Sequence, residues 1–134
     1  MADKDKGKLY IVGTPIGNMG DMTFRAVETL REVDFIAAED TRVSRKLLAH
    51  FGISKPLVSY YEHNRRESGA MIVDRISAGE SCALITDAGM PAISDPGSEL
   101  VKWCSEAGIE VLAVPGPSAA VAAVALSGLN TARF

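Results

Sequence analysis

Short apolar runs alternate along the chain with segments in which apolar residues recur every three or four positions. Five runs have the length and character of buried strands, at 9–12, 35–38, 57–60, 82–85 and 109–114. The intervening segments have the period of amphipathic helices that follow each strand. Strict alternation of strand and helix predicts an α/β fold: a five-stranded, mainly parallel sheet with helices on both faces.

The helical faces and helix ends can be assigned from the same pattern. Apolar positions on one side define the first two helices, namely Phe24, Val27 and Leu30, then Val43, Leu47, Leu48 and Phe51. Thr23 or Asp21 is suited to capping the first helix, and Pro117 suits the first position of the last one. Glycines at 52, 79 and 108 follow helical segments and predict left-handed C-terminal caps.

The last helical segment, Ala119–Leu126, has no polar face at all. A surface helix of a globular protein normally carries polar residues on its outer side. We therefore expect this helix to be buried against another surface.

Composition narrows the class of protein without identifying it. The chain has 134 residues and a formal net charge of −3, which fits one domain and gives no global basic field for nucleic acid or membrane. No apolar run approaches the roughly 20 residues of a membrane helix.

Residues 1–7 alternate in charge and predict a flexible tail, so the domain is expected to occupy 8–134. Cys82 and Cys104 fit no metal spacing and predict buried free thiols in a reducing, cytoplasmic setting.

Every predicted strand leads into a segment of unusual composition. Because parallel strands end at one edge of a sheet, these segments should converge there, and they are residues 13–18, 39–42, 61–64, 86–97 and 115–118. The fourth segment holds two Gly, two Pro and two Asp, residues that fix particular backbone geometries. We expect a ligand-binding surface at this edge.

The first of these segments, Gly13–Asn18, is not a dinucleotide fingerprint. Its spacing is not G-x-G-x-x-G, and Pro15 removes a backbone donor that a phosphate cradle would use. The chain also lacks the Gly-Lys-Ser/Thr of a P-loop. A ligand held here is therefore expected to be recognised by backbone shape more than by phosphate charge.

Four carboxylates in these segments, Glu39, Asp40, Asp87 and Asp95, are candidates for general-base chemistry or for a hard cation such as magnesium. The competing interpretation is structural. Asp40 is placed to cap the second helix and Asp95 the fourth.

The remaining polar candidates also have two interpretations each. Arg42, Arg45 and Lys46 suit phosphate contacts or a solvated helix face. His63 lacks a second ligand at helical spacing, which favours a hydrogen-bonding loop histidine over a metal ligand. Ser118, at a helix N-terminus, suits either a carboxylate site or an ordinary cap.

Five segments taken together resemble one family. They are Gly13–Asn18, Glu39–Arg42, Glu62–Asn64, Asp87–Gly97 (without Met90–Ala92) and Pro115–Ala119. They are similar to the amino-terminal half of the bacterial small-subunit ribosomal RNA methyltransferase I family, 2′-O-ribose methyltransferases of the tetrapyrrole methylase superfamily. The resemblance covers residues 8–134, with departures at Tyr61, where a histidine is common, and Arg65, where an acid is common.

The resemblance implies a cofactor and a set of site residues. S-adenosylmethionine is the implied cofactor, and the implied contacts are Pro15, Gly89, Met90, Pro91, Ile93, Ser118 and Ala119. On the RNA side it implies Glu39, Asp40 and Arg42, with Asp40 or Asp87 as candidate proton acceptor and Arg42 as a phosphate contact. No resident metal is implied.

The resemblance also implies a larger assembly. Family members have a second α/β domain after the point where this sequence stops, with the cofactor between the two domains. We therefore expect an isolated N-terminal domain, inactive alone, of a homodimeric enzyme that acts on a cytidine of 16S rRNA or the 30S subunit. A tetrapyrrole-precursor methylase and a non-catalytic dimerisation or ligand-binding module are the alternatives.

Overall fold

The computed structural model describes residues 5–93 and 95–132 of the chain. Strands and helices alternate as predicted, and their bounds are β1 Lys8–Val12, α1 Phe24–Glu32, β2 Phe35–Ala38, α2 Thr41–His50, β3 Leu57–Ser59, α3 Arg65–Ser77, β4 Cys82–Ile85, α4 Gly97–Glu106, β5 Glu110–Val114 and α5 Ala119–Leu126. A short 3₁₀ turn, Met19–Asp21, precedes α1.

The strands form one five-stranded sheet in the order β3-β2-β4-β1-β5, and every pairing is parallel. The predicted fold class is therefore confirmed. All residues of β2 and β4 are buried, as expected for strands covered on both faces. Strand β5 pairs only with β1 among the described strands and forms one edge of the sheet.

Two apolar clusters pack on the opposite faces of the sheet. One contains Leu9, Phe35 and Leu84 together with α3 and α4 residues such as Ile72 and Leu100. The other is built from the alternate strand positions and from α1 and α2 residues, including Val12, Leu30, Ile36, Leu48 and Ile85. This alternation follows from the two-residue period of a strand, which sends successive side chains to opposite faces.

The predicted helix ends are largely confirmed. The Thr23 hydroxyl accepts a hydrogen bond from Ala26 N at 3.0 Å and caps α1. Gly52, Gly79 and Gly108 all have positive φ at the helix ends where they were predicted. The prediction for Pro117 is wrong, because α5 begins at Ala119 with Ser118 as its cap, which leaves the proline outside the helix.

Two predicted face residues lie in solvent. Phe24 is 92% exposed, because α1 buries the side that carries Ala26, Thr29 and Leu30. At about 100° per residue, Phe24 points roughly 120° away from Leu30. Val43 is 41% exposed and lies at the border of the buried face of α2.

Both cysteines are free and buried, as predicted. Burial raises the pKa of the Cys104 thiol to about 11 and raises that of Cys82 further. Residues 1–4 of the expected tail lie outside the described residues. Gly7, the last residue of that segment, is buried and its N–H donates to Ile76 O at 2.8 Å.

Helix α5 differs from the others because none of its residues is buried. Val121 is 55% exposed and Leu126 88%, and Leu129 just beyond the helix is 75% exposed. The expectation of a buried helix is therefore not met within this chain. None of the described helices has the length and hydrophobicity needed to cross a bilayer.

Candidate functional site

Three loops meet at the carboxyl edge of the sheet, around Gly13, Gly89 and Gly116. We call this contact the glycine junction. The N–H groups of Thr14 and Gly89 each donate to the carbonyl of the other at 3.0 Å. A Cβ on Gly13 would lie 2.7 Å from the Gly116 Cα, and a Cβ on Gly89 would lie 3.4 Å from the Pro117 carbonyl oxygen. Residues without side chains are needed for the close approach of Gly13 and Gly116, whereas Gly89 is favoured by its φ of +83°.

The loop after β4 is held in a fixed shape by its own polar groups. The Asp95 carboxylate accepts from Ala92 N at 3.0 Å and from Gly97 N at 2.8 Å. Ala92 has φ +70°, which is a left-handed conformation unusual for a residue with a side chain. The Tyr60 hydroxyl donates to Pro96 O at 2.5 Å. Asp95 therefore shapes the loop and bonds the first N–H of α4, but the prediction that it is the cap residue is wrong, because the N-cap position of α4 is Pro96.

The four candidate carboxylates form an acidic corner, defined as Glu39, Asp40, Asp87 and Asp95. Partial burial raises the pKa of Glu39, and the charges of Asp87, Asp95 and Asp40 raise it further. The pKa of Asp40 is lowered, because its carboxylate accepts from Arg42 N at 2.9 Å and pairs with the Arg42 guanidinium. The cap role predicted for Asp40 is confirmed.

The acidic corner has no metal-binding geometry. Within residues 5–93 and 95–132, no group of three or more His, Cys, Asp or Glu side chains is placed to hold a metal ion.

Among the basic and aromatic candidates, Arg42 contacts this corner. Arg42 is 86% exposed at its side chain and contacts Asp40 at 3.5 Å, while Arg45 and Lys46 are exposed along α2. His63 is exposed, with its ring edge-on to Tyr61 at 6.1 Å.

Arg65, one of the two departures from the family pattern, joins two helices. Its Nε lies 3.0 Å from the Glu99 carboxylate on α4, and its guanidinium also pairs with Glu62. The position therefore has a structural role in this chain.

A cleft of about 290 Å³ opens beside the junction, between the first loop, α2 and the loop after β4. We call it the α2 cleft, and its lining residues are Thr14, Pro15, Gly17, Asn18, Met19, Val43, Ser44, Lys46, Leu47, Thr86, Asp87 and Ala88. Of the residues predicted from the sequence as cofactor contacts, Pro15 lies in this lining. Ser44 was not singled out from the sequence, because a serine in the first turns of an amphipathic helix looks like an ordinary polar position.

The other predicted cofactor contacts are distributed around the glycine junction. Gly89 belongs to the junction itself, and Met90 packs its side chain toward the core next to Gly13. Pro91 is buried and lines a small pocket together with Glu39. Ile93 is 74% exposed.

Ser118 and Ala119 lie at the start of α5. The Ser118 hydroxyl accepts from Val121 N at 3.4 Å, which confirms the cap interpretation, and Ala119 is exposed. The first N–H groups of a helix have no partner within it. This helix start follows the Gly116 side of the junction directly.

Comparison with known proteins assigns the family. The family model for tetrapyrrole (corrin/porphyrin) methylases matches residues 8–134. The chain is 56% identical over 130 residues to the ribosomal RNA small subunit methyltransferase I of Halalkalibacterium halodurans, covering 97% of this chain and 45% of that protein. It is 49% identical to the protein of the same name from Escherichia coli O157:H7, covering 99% of this chain and 46% of that protein. The chain thus spans about half the length of the curated relatives it matches.

Solved structures agree with this assignment. A conserved hypothetical protein from Aeropyrum pernix K1 superposes with a TM-score of 0.78 at 25% identity, over 96% of this chain and 45% of that one. The uroporphyrin-III-C-methyltransferase of Thermus thermophilus gives a TM-score of 0.70 at 25% identity, over 93% of this chain and 53% of that one. The family model matches nearly the whole chain, and the solved structures share its fold, so this chain belongs to the tetrapyrrole methylases.

Proposed function

We propose that this chain is the N-terminal half of an S-adenosylmethionine-dependent enzyme that methylates the ribose 2′-hydroxyl of a cytidine in 16S rRNA. The observation that carries the proposal is an acidic corner beside the glycine junction, in a chain whose relatives, at 49–57% identity, are named ribosomal RNA methyltransferases. Those relatives are about twice as long as this chain, which supports a second domain completing the site.

The junction fits the chemistry of the cofactor. S-adenosylmethionine offers a carboxylate, an ammonium, a sulfonium and an adenosine but no phosphate, so backbone groups suffice to hold it. Gly89 to Ile93 supply a loop edge, and the start of α5 at Ser118 and Ala119 suits a carboxylate, because the first N–H groups of a helix have no partner within the helix. Pro15 approaches from the first loop. When bound, the cofactor supplies a methyl group on a positively charged sulfur.

Glu39 is the residue we propose to accept the proton of the 2′-hydroxyl. Its pKa lies above the ordinary value of 4.5, because partial burial and the charges of Asp87, Asp95 and Asp40 disfavour its ionised form. A carboxylate with a raised pKa is a stronger base near neutral pH. Asp40 is a poorer choice, since its bonds to Arg42 lower its pKa and hold its oxygens.

The exposed cations of α2 are proposed to contact the RNA backbone. Arg42, Arg45 and Lys46 lie on the helix that begins at the acidic corner, and each is exposed to solvent. Phosphate contacts of this kind position a nucleic acid without reading its sequence. The proposed partner is 16S rRNA, free or in the 30S subunit.

We further propose a homodimer in the cytoplasm as the working unit. The apolar, unburied helix α5 supports an assembled state, because so much exposed apolar surface is unusual for a finished monomer. The two buried free thiols support a reducing compartment.

The methylation proposal is tested with a longer protein that carries this chain and the proposed second domain. Methyl-deficient 30S subunits are incubated with that protein and labelled S-adenosylmethionine, and the labelled nucleotide is located by digestion of the RNA. Label on a cytidine 2′-oxygen is expected. An absence of label in the RNA would refute the proposal.

Glu39→Gln tests the proton acceptor. We expect kcat/KM to fall by about 10²–10⁴-fold. The unmodified enzyme should gain activity as pH rises through an inflection above 4.5, and the variant should lose that inflection. The matched control is Glu28→Gln on the exposed side of α1. Equal pH profiles for Glu39→Gln and the parent would exclude Glu39 as the base.

The pKa of Glu39 also predicts the pH dependence of stability. Because the folded protein holds this proton more tightly than the unfolded chain, Glu39 contributes stability that is fully present below pH 4.5 and is lost as pH rises through the folded pKa. Glu39→Gln should therefore lose this pH dependence of the free energy of unfolding.

The two-domain arrangement is tested by calorimetry with S-adenosylhomocysteine. The 134-residue chain should bind it weakly or not at all, because half of the proposed cleft is missing, whereas the longer protein should bind it. Micromolar binding to the short chain would contradict a shared site.

A further inference from the structure

The outer side of helices α3 and α4 carries a groove that the proposed function does not use. The two helices pack side by side over one face of the sheet. The groove has a volume of about 340 Å³, and we call it the tryptophan groove. Its lining residues are Arg66, Gly69, Ala70, Val73, Asp74 and Trp103. None of them belongs to the glycine junction, the acidic corner or the α2 cleft.

Trp103 forms one wall of this groove by packing on the backbone of α3. A Cβ on Gly69 would lie 2.4 Å from the Trp103 ring, so the ring occupies the space of the missing side chain. A glycine inside a helix costs about 1 kcal/mol relative to alanine, which indicates that close packing is needed here. The ring is only partly buried. Partly exposed tryptophans in a packed setting are typical anchors of protein–protein interfaces.

Two charged side chains of the groove have no partner in the chain. Arg65 and Arg75, which neighbour them on α3, each form ion pairs with glutamates. Arg66 and Asp74 are exposed, and across residues 5–93 and 95–132 neither side chain makes a hydrogen bond or an ion pair. The groove therefore presents one free cation and one free anion beside an aromatic wall.

The two charges are placed symmetrically about Ala70. Each lies four residues from it, which is about 6 Å along the helix axis and about 40° around the helix. All three residues are exposed on one side of α3. Because the Ala70 side chain is short, another helix can approach closely at this point.

This arrangement is complementary to itself. A two-fold interface brings the same patch of both copies together, so it needs opposite charges on the two sides of the axis. When two α3 helices meet antiparallel with the axis at Ala70, each Arg66 lies level with Asp74 of the other copy. Glu67, at the border of the same side, lies level with Val73 of the other copy and meets no acid. The two Trp103 rings lie on the same side of the helix pair.

A second copy fits this groove better than RNA does. Nucleic acid is attracted by an excess of cations, such as the exposed Arg42, Arg45 and Lys46 of α2. The tryptophan groove has one charge of each sign. The second domain is also a poorer match, because it is proposed to complete a site at the carboxyl edge of the sheet, whereas the groove lies on helices that cover a face.

We propose that the tryptophan groove is a docking surface for a second copy of this chain, in which two antiparallel α3 helices meet at Ala70 and each Arg66 pairs with Asp74 of the other copy. Trp103 is the apolar anchor of this interface. The inference rests on the homodimer proposed above, since it names an interface of that dimer. It involves no residue of the methylation site.

Charge reversal tests the pairing by sedimentation velocity of the 134-residue chain. Arg66→Asp places two acids level with each other at both ends of the interface, and Asp74→Arg places two cations there. Each variant should raise the dissociation constant of the dimer at least about tenfold. Both substitutions are at exposed positions, so melting temperatures should stay close to that of the parent. Glu28→Arg, at an exposed position of α1, is the matched control and should leave the dissociation constant unchanged.

Mixing the two variants is the sharpest test. In a mixture of Arg66→Asp and Asp74→Arg chains, every facing pair of a mixed dimer again has opposite signs. Mixed dimers should therefore form, although each variant alone associates weakly. The double variant Arg66→Asp/Asp74→Arg should recover the dissociation constant of the parent for the same reason.

Trp103 provides an independent measurement, because it is the sole tryptophan of the chain. Its fluorescence emission should move to shorter wavelength as the protein concentration rises through the dissociation constant, since the second copy covers the ring. The shift should be reduced in both single variants and restored in their mixture.

Several outcomes would overturn the inference. A dimer with unchanged affinity in both single variants, or one that forms without a change in Trp103 emission, lies on another surface such as α5. Either result would contradict this interface and leave the homodimer in place. A parent chain that stays monomeric at millimolar concentration would contradict the interface and the homodimer together. In the longer protein, a monomer that is destabilised by the charge reversals would place the second domain in the groove. Methyl transfer is measured separately, so none of these results counts against the methylation proposal.

Discussion

Helices α1 and α5 differ both in composition and in how much of their surface is buried. Helix α1 carries four charged residues among nine, yet it buries Ala26, Thr29 and Leu30 against the sheet. Helix α5 is apolar throughout and buries none of its residues. Hydrophobic side chains are buried only where a complementary surface is available. Helix α1 follows an inner strand and lies over the sheet, whereas α5 follows β5 at the edge of the sheet.

The largest expected effect is the difference in unfolding free energy between a leucine truncation in α1 and one in α5. Leu30→Ala should lower the free energy of unfolding by about 2–5 kcal/mol, because Leu30 is fully buried and its loss leaves a cavity. Leu126→Ala, at a side chain that is 88% exposed, should change it by less than about 0.5 kcal/mol. Urea unfolding of the 134-residue chain measures both.

Similar losses of unfolding free energy in Leu30→Ala and Leu126→Ala would mean that α5 is packed against another surface in solution. In the longer protein, Leu126→Ala should lower the free energy of unfolding if the second domain or a second copy covers α5.

The next effect concerns the glycine junction, which connects the loop before α5 to the sheet. Gly13→Ala would place a Cβ 2.7 Å from the Gly116 backbone and 2.8 Å from the Met90 sulfur, so we expect a loss of about 1–3 kcal/mol. Gly20→Ala is the control, since its Cβ would meet only the Asn18 side chain, at 3.1 Å. Thermal unfolding distinguishes them, and a tolerated Gly13→Ala would show that the junction is looser than the structure indicates.

The smallest effect compares the two helix caps. Thr23→Ala should cost about 1 kcal/mol, because its hydroxyl accepts a 3.0 Å bond from Ala26 N in a helix packed on the core. Ser118→Ala should cost no more than about 0.5 kcal/mol, because its bond to Val121 N is 3.4 Å long and α5 is exposed. Chemical denaturation of both variants measures the two changes in unfolding free energy. A larger loss of stability in Ser118→Ala than in Thr23→Ala would contradict the expectation that the cap of the packed helix α1 contributes more.

Much of the fold was predictable because local patterns and global topology agree. The bounds of β2, β4 and α5 match the expectation, and the left-handed glycines mark helix ends where periodicity stops. The convergence of the loops was also predictable, since parallel strands bring all their carboxyl ends to one edge. Asp40 then caps α2, because a short carboxylate at that position reaches the free N–H of Arg42.

The order of the strands, the glycine junction and the α2 cleft required the tertiary structure. Sequence periodicity gives the direction of a side chain relative to its own helix, but not which neighbouring element meets it. That is why Phe24 was expected inside and lies in solvent, and why Ser44 looked ordinary and is buried with no hydrogen-bond partner for its hydroxyl among the described residues. The amino-acid sequence by itself determined the elements and the edge at which their loops gather. The packing of one element on another decided which backbones touch, which hydroxyl lacks a partner and which helix is left uncovered, because those properties depend on distances between residues far apart in the chain.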